Sequence, residues 1–259
     1  MPSGINLTSQ MTEIPKDHPR YNSLITRELI TKGVESGITS VKGLIAQGRG
    51  EAFDYLIGEI TTASARDAQC AATAMLLLAN RAIISVNGNS AALVPHELIE
   101  LSKLTDAPLE VNLFYRTEDR VLKIIKHLKA HGAQDVLGAD PDAAIPGLSS
   151  QRGLICREGI YSSDVVFVPL EDGDRCEALI SMGKQVIAVD LNPLSRTAQK
   201  ATISIVDNIT RVMPNMLEMV RELKNRRERE LQDIVDEYNN KNGLKWAVKS
   251  ICENLIGNQ

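Results

Sequence analysis

Aromatic side chains are scarce in this chain of 259 residues and make up only 3% of it. The core must therefore be built mainly from isoleucine, valine, leucine and alanine. Because single-stranded nucleic acids are usually held by bases stacking on aromatic rings, this scarcity argues against a nucleic-acid ligand. The formal net charge is −4, so the chain is not a general binder of polyanions, and local arginine and lysine side chains must hold any phosphate.

Cysteines are also few, and their spacing suits neither a zinc site nor a disulfide scaffold. None belongs to a C-x-x-C pair; they are Cys70, Cys156, Cys176 and Cys252. This pattern predicts reduced thiols and a cytoplasmic protein. The N-terminal residues show no basic segment followed by an apolar run, and no apolar stretch has membrane-spanning length. We therefore expect neither a secretory signal nor a membrane partner.

Two familiar nucleotide-binding motifs are missing. The chain has no G-x-x-x-x-G-K-[ST] segment, which excludes a P-loop protein, and no G-x-G-x-x-G after any predicted strand. Asp190 follows Gly173 at a distance typical of NAD sites, but the intervening loop is acidic and would repel a pyrophosphate. An NAD-dependent oxidoreductase stays open as one alternative, and a nucleotide-sensing module without turnover as another.

What the chain does have is a series of continuous apolar segments separated by helical ones. The strand candidates are residues 82–86, 109–114, 135–137, 165–168, 186–189 and 203–206. The helix candidates between them are residues 91–104, 118–131 and 175–182. Buried strands that alternate with helices predict an α/β fold, a Rossmann-like parallel sheet with helices on both faces.

The remaining segments set the expected domain organisation. Residues 1–13 are predicted to be a flexible tail, and residues 14–223 a single α/β domain with a helical part (14–80) and a Rossmann-like part (81–223). Within the helical part, the glycines of residues 46–50 predict a loop. The last segment, residues 224–259, is predicted to be a charged helical extension that is dispensable for chemistry, with a solvated charge run at 225–230.

Candidate chemistry lies where the strands end, because open parallel sheets bind ligands beyond the carboxyl ends of their strands. The first strand runs into Asn87, Gly88 and Asn89, where a phosphate could meet the free N–H groups of a helix start. A plain turn with Asn89 or Ser90 as the helix cap is equally compatible with this pattern.

The strand candidates at residues 165–168 and 186–189 are followed by carboxylates. Asp172 and Asp174 could hold Mg²⁺ through oxygen ligands, or could cap the following helix. Asp190 is typical of a carboxylate that accepts ribose hydroxyls, and the planar fork of Arg196 suits a phosphate. After the last strand, Asn208 offers the donor and acceptor that an adenine edge requires.

One arginine in the helical part also stands out. Arg49 lies between Gly48 and Gly50, which clear space around its side chain. We therefore expect Arg49 to bind a phosphate group.

Several longer segments carry a family resemblance. Residues 14–21, 43–58, 85–89, 111–116, 169–175 and 190–200 resemble the corresponding motifs of archaeal phosphopantothenate synthetases, and the resemblance runs from about residue 14 to 223. It departs from the family at Gln47, where a histidine is expected. The resemblance implies a homodimeric, Rossmann-like enzyme of coenzyme A biosynthesis. Such an enzyme joins 4-phosphopantoate to β-alanine with ATP and Mg²⁺, and releases AMP and diphosphate through an acyl-adenylate.

The resemblance also implies site residues. The implied ATP-binding positions are Arg27, Arg49, Asp190, Leu191, Asn192, Arg196, Thr197, Asn208 and Ile209. Together with the strand-end pattern it suggests substrate or phosphate contacts at Asn87, Gly88, Asn89, Arg116 and Arg175, and metal ligands at Asp172 and Asp174. No protein nucleophile stands out, and none is required, because such a ligase acts mainly by positioning and by neutralising charge.

Overall fold

A six-stranded parallel sheet forms the centre of the protein in the computed structural model, which describes residues 14–169 and 172–257. The predicted tail, residues 1–13, lies outside the described residues. The strands are β1 (Ala82–Val86), β2 (Leu109–Val111), β3 (Val136–Leu137), β4 (Ala143–Ala144), β5 (Leu154–Ile155), β6 (Val165–Pro169), β7 (Gln185–Val189) and β8 (Ile203–Ile205). The sheet has the order β3-β2-β1-β6-β7-β8, and β4 and β5 form a separate antiparallel ribbon.

The helices precede, connect and follow these strands. They are α1 (Tyr21–Glu35), α2 (Val41–Ile57), α3 (Ala63–Leu78), α4 (Gly88–Leu93), α5 (Pro95–Thr105), α6 (Glu118–Ala130), α7 (Gly173–Ser181), α8 (Arg196–Lys200), α9 (Ile209–Leu223), α10 (Glu228–Glu237) and α11 (Asn240–Gly257). A 3₁₀ turn at Gln151–Gly153 and a distorted helical turn at Arg157–Tyr161 flank β5.

Alternate residues of the central strands enter two different apolar clusters. In β6, Val165 and Phe167 pack with α3, α5, α6 and α9, whereas Val166 and Val168 pack with α7 on the other face. Successive side chains of a strand point to opposite faces, so the sheet is buried on both sides. The predicted doubly covered parallel sheet is confirmed.

Two predicted boundaries are wrong. The strand expected over residues 109–114 ends at Val111. The Asn112 N–H still donates to the carbonyl of Val86, and its side chain donates to the carbonyls of Arg152 and Leu154. The helix expected over residues 91–104 is two helices, since Pro95 has no N–H to continue α4 and instead occupies the first turn of α5.

The loop predicted at residues 46–50 is wrong, because these residues lie inside α2. Two glycines of this helix, Gly43 and Gly50, lie against residues that follow the strands. A side chain at Gly43 would overlap that of Asn89, and one at Gly50 would contact Leu191 at 3.4 Å. Glycine usually weakens a helix, and here the weaker propensity accompanies a close approach to the strand ends.

Two glycines of α2 give a matched test of this packing. Gly43→Ala is expected to destabilise the fold, because the added methyl group meets Asn89. Gly48→Ala is expected to raise the free energy of unfolding by up to about 1 kcal/mol, since nothing lies within 4 Å of that position. Thermal unfolding of both variants measures the difference; a stabilising Gly43→Ala would contradict the packing described.

The C-terminal helices α10 and α11 pack on the rest of the molecule. The charge run at residues 225–230 is solvated, as predicted, but Leu231 and Ala247 are only 5% and 2% exposed. The Asn254 side chain donates hydrogen bonds to the last carbonyls of α2, at 3.2 and 2.6 Å. The helical conformation is interrupted between α10, which ends at Glu237, and α11, which begins at Asn240. The two helices therefore contribute to the hydrophobic core, unlike a detached extension.

Candidate active site

The sheet order places a topological switch point between β1 and β6, where connections leave in opposite directions. The Asn87 side chain bridges this point by donating a 2.5 Å hydrogen bond to the carbonyl of Pro169. It also accepts from the N–H of Ser90, whose hydroxyl accepts from the Asn87 N–H in a capping box. The structure thus supports the turn interpretation of this strand end, with Asn87 as the cap.

The two residues after Asn87 hold other segments of the chain close to the end of β1. The Gly88 carbonyl accepts a hydrogen bond from the Thr39 hydroxyl, and a side chain at Gly88 would overlap the carbonyl of Ile38. Asn89 donates to the Gly43 carbonyl at 2.9 Å and so attaches the start of α2 to the end of β1. These residues shape the site and hold α2 against it.

Helix α2 lies across the carboxyl edge of the sheet. On the side of α2 that faces the sheet, Gly43 lies against Asn89 after β1, and Gly50 lies against Leu191 after β7. Farther along the same side, the Asp54 carboxylate accepts a hydrogen bond from the Asn208 amide after β8. Beside α2, a cleft remains open at the ends of β1 and β2, where Lys42, Gly43 and Ala46 of the helix line it.

Cationic side chains line this cleft. Lys42, Arg120 and Arg152 surround a cavity of about 180 Å³ at the ends of β1 and β2, with Tyr115 at its edge. The Lys42 ammonium lies 4.0 Å from the centre of the Tyr115 ring. The arrangement suits an anionic ligand, because the cations are concentrated in one place on an otherwise mildly acidic protein.

Arg49 extends the row of cations toward β7. It is exposed on α2, seven residues after Lys42, and residues seven apart lie on the same side of a helix, about 10 Å apart. Its positive charge acts on Asp190, which lies after β7. The seven-residue spacing between Lys42 and Arg49 is the one sequence signal that could have identified Lys42. Nothing local in the sequence indicates Arg120 or Arg152.

Asp190 is a half-buried carboxylate at the predicted ribose position. It accepts hydrogen bonds from the Asn192 N–H at 2.9 Å and from the Ser195 hydroxyl at 2.5 Å. Burial raises the pKa of Asp190 above its usual value, although these hydrogen bonds and the charge of Arg49 act in the opposite direction. Its carboxylate keeps further lone pairs that hydroxyl groups could use.

Both proposed metal ligands already have protein partners. Asp172 caps α7 by accepting from the Arg175 N–H at 3.0 Å, and it pairs with Arg152 at 2.9 Å. Asp174 pairs with Arg196. Across residues 14–169 and 172–257, no three His, Cys, Asp or Glu side chains cluster as a metal site would require. The described residues therefore favour the capping interpretation and do not fit a protein-built Mg²⁺ site.

Arg196 lies at the predicted phosphate position but is not a free cation. Its guanidinium binds Asp174 and Glu177 on α7, the latter at 2.6 Å, and remains exposed to solvent. These hydrogen bonds raise the pKa of Arg196, with Glu177 as the main cause. A phosphate bound by Arg196 would have to compete with both carboxylates.

Four other predicted residues are engaged away from the cleft. Arg27 pairs with Glu51 at 2.6 Å. Arg116 donates to the carbonyl of Gly138 at 2.7 Å, and Arg175 is fully buried and donates to Ser85 at 3.1 Å. The Asn208 side chain caps α9 through Thr210 and donates to Asp54, which uses the groups expected to meet adenine.

Three further predicted positions are part of the apolar interior. Leu191 and Ile209 are 5% and 4% exposed and pack in hydrophobic clusters, and Thr197 is buried in α8. Any contact that they make with a nucleotide would involve their backbone. Gln47 faces a second cavity of about 380 Å³, which is lined by residues of α1 and α2 and also by Asp54, Asn208 and Arg211.

A buried ion cluster joins α2 to the start of α9. Arg211 binds Asp54 at 2.5 Å and Asp207 at 2.6 Å, and both carboxylates are almost completely buried. Burial opposes the charged form of Arg211, but these partners outweigh it and raise its pKa. Asp207 also accepts from Thr61 at 2.7 Å and Gln69 at 3.1 Å.

Comparison with known proteins connects this architecture to a family. The family model for phosphopantothenate/pantothenate synthetase matches residues 64–254, from the start of α3 almost to the end of α11. The chain belongs to the phosphopantothenate/pantothenate synthetase family. The match also continues beyond residue 223, where the resemblance noted in the sequence ends, and it includes α10 and most of α11.

Individual relatives agree over nearly their full lengths. A 4-phosphopantoate–β-alanine ligase of Methanosarcina mazei is 57% identical over 245 residues, which cover 95% of this chain and 96% of the relative. A ligase of the same name from Thermococcus kodakarensis is 54% identical over 95% and 94% of the two chains. One from Methanospirillum hungatei is 48% identical over 94% and 98%.

Proposed function

We propose that this protein is a 4-phosphopantoate–β-alanine ligase that uses ATP and forms an acyl-adenylate. The observation that carries the proposal is the 57% identity with a ligase of that name over almost the whole of both chains. The cationic cleft supports it, because 4-phosphopantoate and ATP are both anionic. The cleft collects Lys42, Arg120 and Arg152, and Arg49 lies farther along α2, where its charge acts on Asp190.

The proposal assigns the two anions to the two ends of the cleft. ATP lies toward β7, with its ribose on Asp190 and its phosphates near Arg49. The phosphate of 4-phosphopantoate lies toward β1 and β2, among Lys42, Arg120 and Arg152, which places the two reacting groups between them. Burial lowers the pKa of Arg120, so an anion in this cavity would stabilise its charge.

The reaction then needs little covalent help from the protein. A carboxylate oxygen of 4-phosphopantoate attacks the α-phosphorus of ATP, an O–P bond forms, and the bond to the leaving diphosphate breaks. The β-alanine amine next attacks the acyl carbon and loses a proton, and AMP leaves with the electron pair of the C–O bond. The cations of the cleft stabilise charge that grows on the phosphates, and alignment of the reactants supplies the rest.

Two further parts of the proposal concern location and assembly. We propose a cytoplasmic protein, which agrees with the free thiols of Cys70, Cys156, Cys176 and Cys252. We also propose a homodimer. Its support is the outward side of α2, where Val41 and Ile45 are 64% and 68% exposed and would be covered by a second copy. Across the described ranges, no helix is long and apolar enough to cross a membrane.

A coupled assay for diphosphate release tests the proposal. Purified protein with ATP, Mg²⁺, 4-phosphopantoate and β-alanine should release diphosphate, and each omission should abolish amide formation. With ¹⁸O in the carboxylate of 4-phosphopantoate, one labelled oxygen should appear in AMP. Label in free phosphate together with ADP would replace the adenylate by an acyl phosphate and leave the ligase assignment standing. ATP binding without any turnover would instead favour a nucleotide-sensing module, and a bound nicotinamide absorbance an oxidoreductase.

A further inference from the structure

The rotation of α2 about its axis decides whether its cations face the cleft. One residue corresponds to 100° on a helix, so a small turn would move Lys42 and Arg49 away from the strand ends. Apolar packing anchors this helix only at its end, where Ile57 is 1% exposed and packs with Leu191 and Ala247, while Val41 and Ile45 are exposed. Directional polar contacts therefore contribute to the orientation of the rest of the helix.

The strongest of these contacts is made by Asp54, on the inward side near the end of α2. Asp54 is 5% exposed and accepts from Arg211 at 2.5 and 3.2 Å and from the Asn208 amide at 2.8 Å. Charge-assisted bidentate pairs are the most directional hydrogen bonds that side chains make. They hold this side of α2 toward the end of β8.

Arg211 is itself fixed by a second carboxylate. Asp207 accepts from the Arg211 Nε at 2.9 Å and is 1% exposed, and its other partners, Thr61 and Gln69, come from the start and middle of the α3 region. Asn215 of α9 donates to Gln69 at 3.1 Å. The guanidinium therefore lies between α2 on one side and a rigid, hydrogen-bonded group on the other.

We propose that Arg211, held between Asp54 and Asp207, is a positioning residue that fixes the rotation of α2 and thereby places Lys42 and Arg49 in the substrate cleft. This inference rests on the proposed ligase function. Buried ion clusters often add little net stability and act instead by specifying one arrangement. Loss of the cluster should therefore weaken substrate binding more than an equal loss of stability caused elsewhere in the protein.

The test uses two conservative changes in the full-length protein. Asp54→Asn removes one charge and offers an N–H₂ group where Asn208 now donates, and Arg211→Lys replaces the fork by a point charge that cannot bind both carboxylates in the same way. We expect each variant to raise the KM for ATP and for 4-phosphopantoate by about tenfold or more, and to weaken ATP binding in calorimetry by a similar factor.

Two controls separate positioning from stability. Arg221→Lys changes the same residue type in the same helix, but its partner Glu100 forms an exposed pair. Val220→Ala creates a cavity at a fully buried position of α9 and should lower the Tm. Both controls should keep the parental KM values.

Each outcome decides the question. If Asp54→Asn and Arg211→Lys lower the Tm but keep KM and ATP affinity within twofold of the parent, as Val220→Ala should, the cluster is only structural and the inference is overturned. If one variant does not fold, the other decides. A parent protein that neither binds ATP nor makes the amide overturns the proposed function and this inference together. An active parent with unaffected variants overturns the inference alone.

Discussion

Arg49→Lys is expected to lower kcat/KM for ligation by about a hundredfold, an effect of the size produced by removing one well-placed donor to a developing charge. Arg49 is exposed on the cleft side of α2, and its charge acts on Asp190. Lysine keeps the charge but loses the planar fork that binds two phosphate oxygens at once. Because Arg49 makes no buried contact, the Tm should change little.

Steady-state kinetics with each substrate varied, together with thermal unfolding, measures both expectations. Arg66→Lys is the matched control, since Arg66 is exposed on α3 outside the cleft and should behave as the parent. An Arg49→Lys variant with parental kcat/KM would remove Arg49 from the phosphate site. An equal loss in Arg66→Lys would show that the effect is not specific to the cleft.

Truncation after Asn225 is expected to leave a protein that is largely unfolded at 37 °C. The removed segment contains Leu231, which packs with Ala74 and Leu223, and Ala247, which packs with Ile57. Loss of one buried leucine side chain costs about 2–5 kcal/mol, a large part of the total stability of about 5–15 kcal/mol that proteins usually have.

The truncation also removes polar contacts that hold the cleft. Asn240 accepts from the Ser204 N–H at 2.7 Å in β8, and Asn254 binds the carbonyls of Leu56 and Ile57 at the end of α2. Circular dichroism during heating is the measurement, and truncation after Asn254 is the control. The control removes only residues 255–259, including the exposed Leu255 and Ile256, and should keep the parental Tm. A folded, active protein ending at Asn225 would restore the view that the C-terminal helices are dispensable.

The central sheet could be predicted from the sequence because its strands are continuous apolar runs. Residues 165–168 and 186–189 read as buried strands, and both lie in the middle of the sheet. Since parallel strands end at the same edge, the polar residues that follow them, such as Asn87 after β1 and Asp190 after β7, could also be assigned to one edge of the sheet. Repeating local pattern and a general rule of sheet topology were sufficient for these conclusions.

The path of α2 could not be predicted, because its glycines are typical of a loop when they are considered alone. In the structure, Gly43 lies against Asn89 and Gly50 against Leu191, and these neighbours come from distant parts of the chain. The same reason explains the C-terminal helices. Their exposed charges are visible in the sequence, whereas the burial of Leu231 depends on α3 and α9.

By itself, the sequence determined the doubly covered parallel sheet, the polar strand ends and the family motifs, since each depends on residues close together in the chain. Only the tertiary structure decided which polar side chains are already occupied. Arg27, Arg196 and Asn208 remain predicted nucleotide contacts, and the structure shows that each already has a protein partner; Arg120 showed no local signal at all. A side chain's chemistry depends on what lies within about 3 Å of it, and those neighbours are chosen by the fold, at separations that no local pattern records.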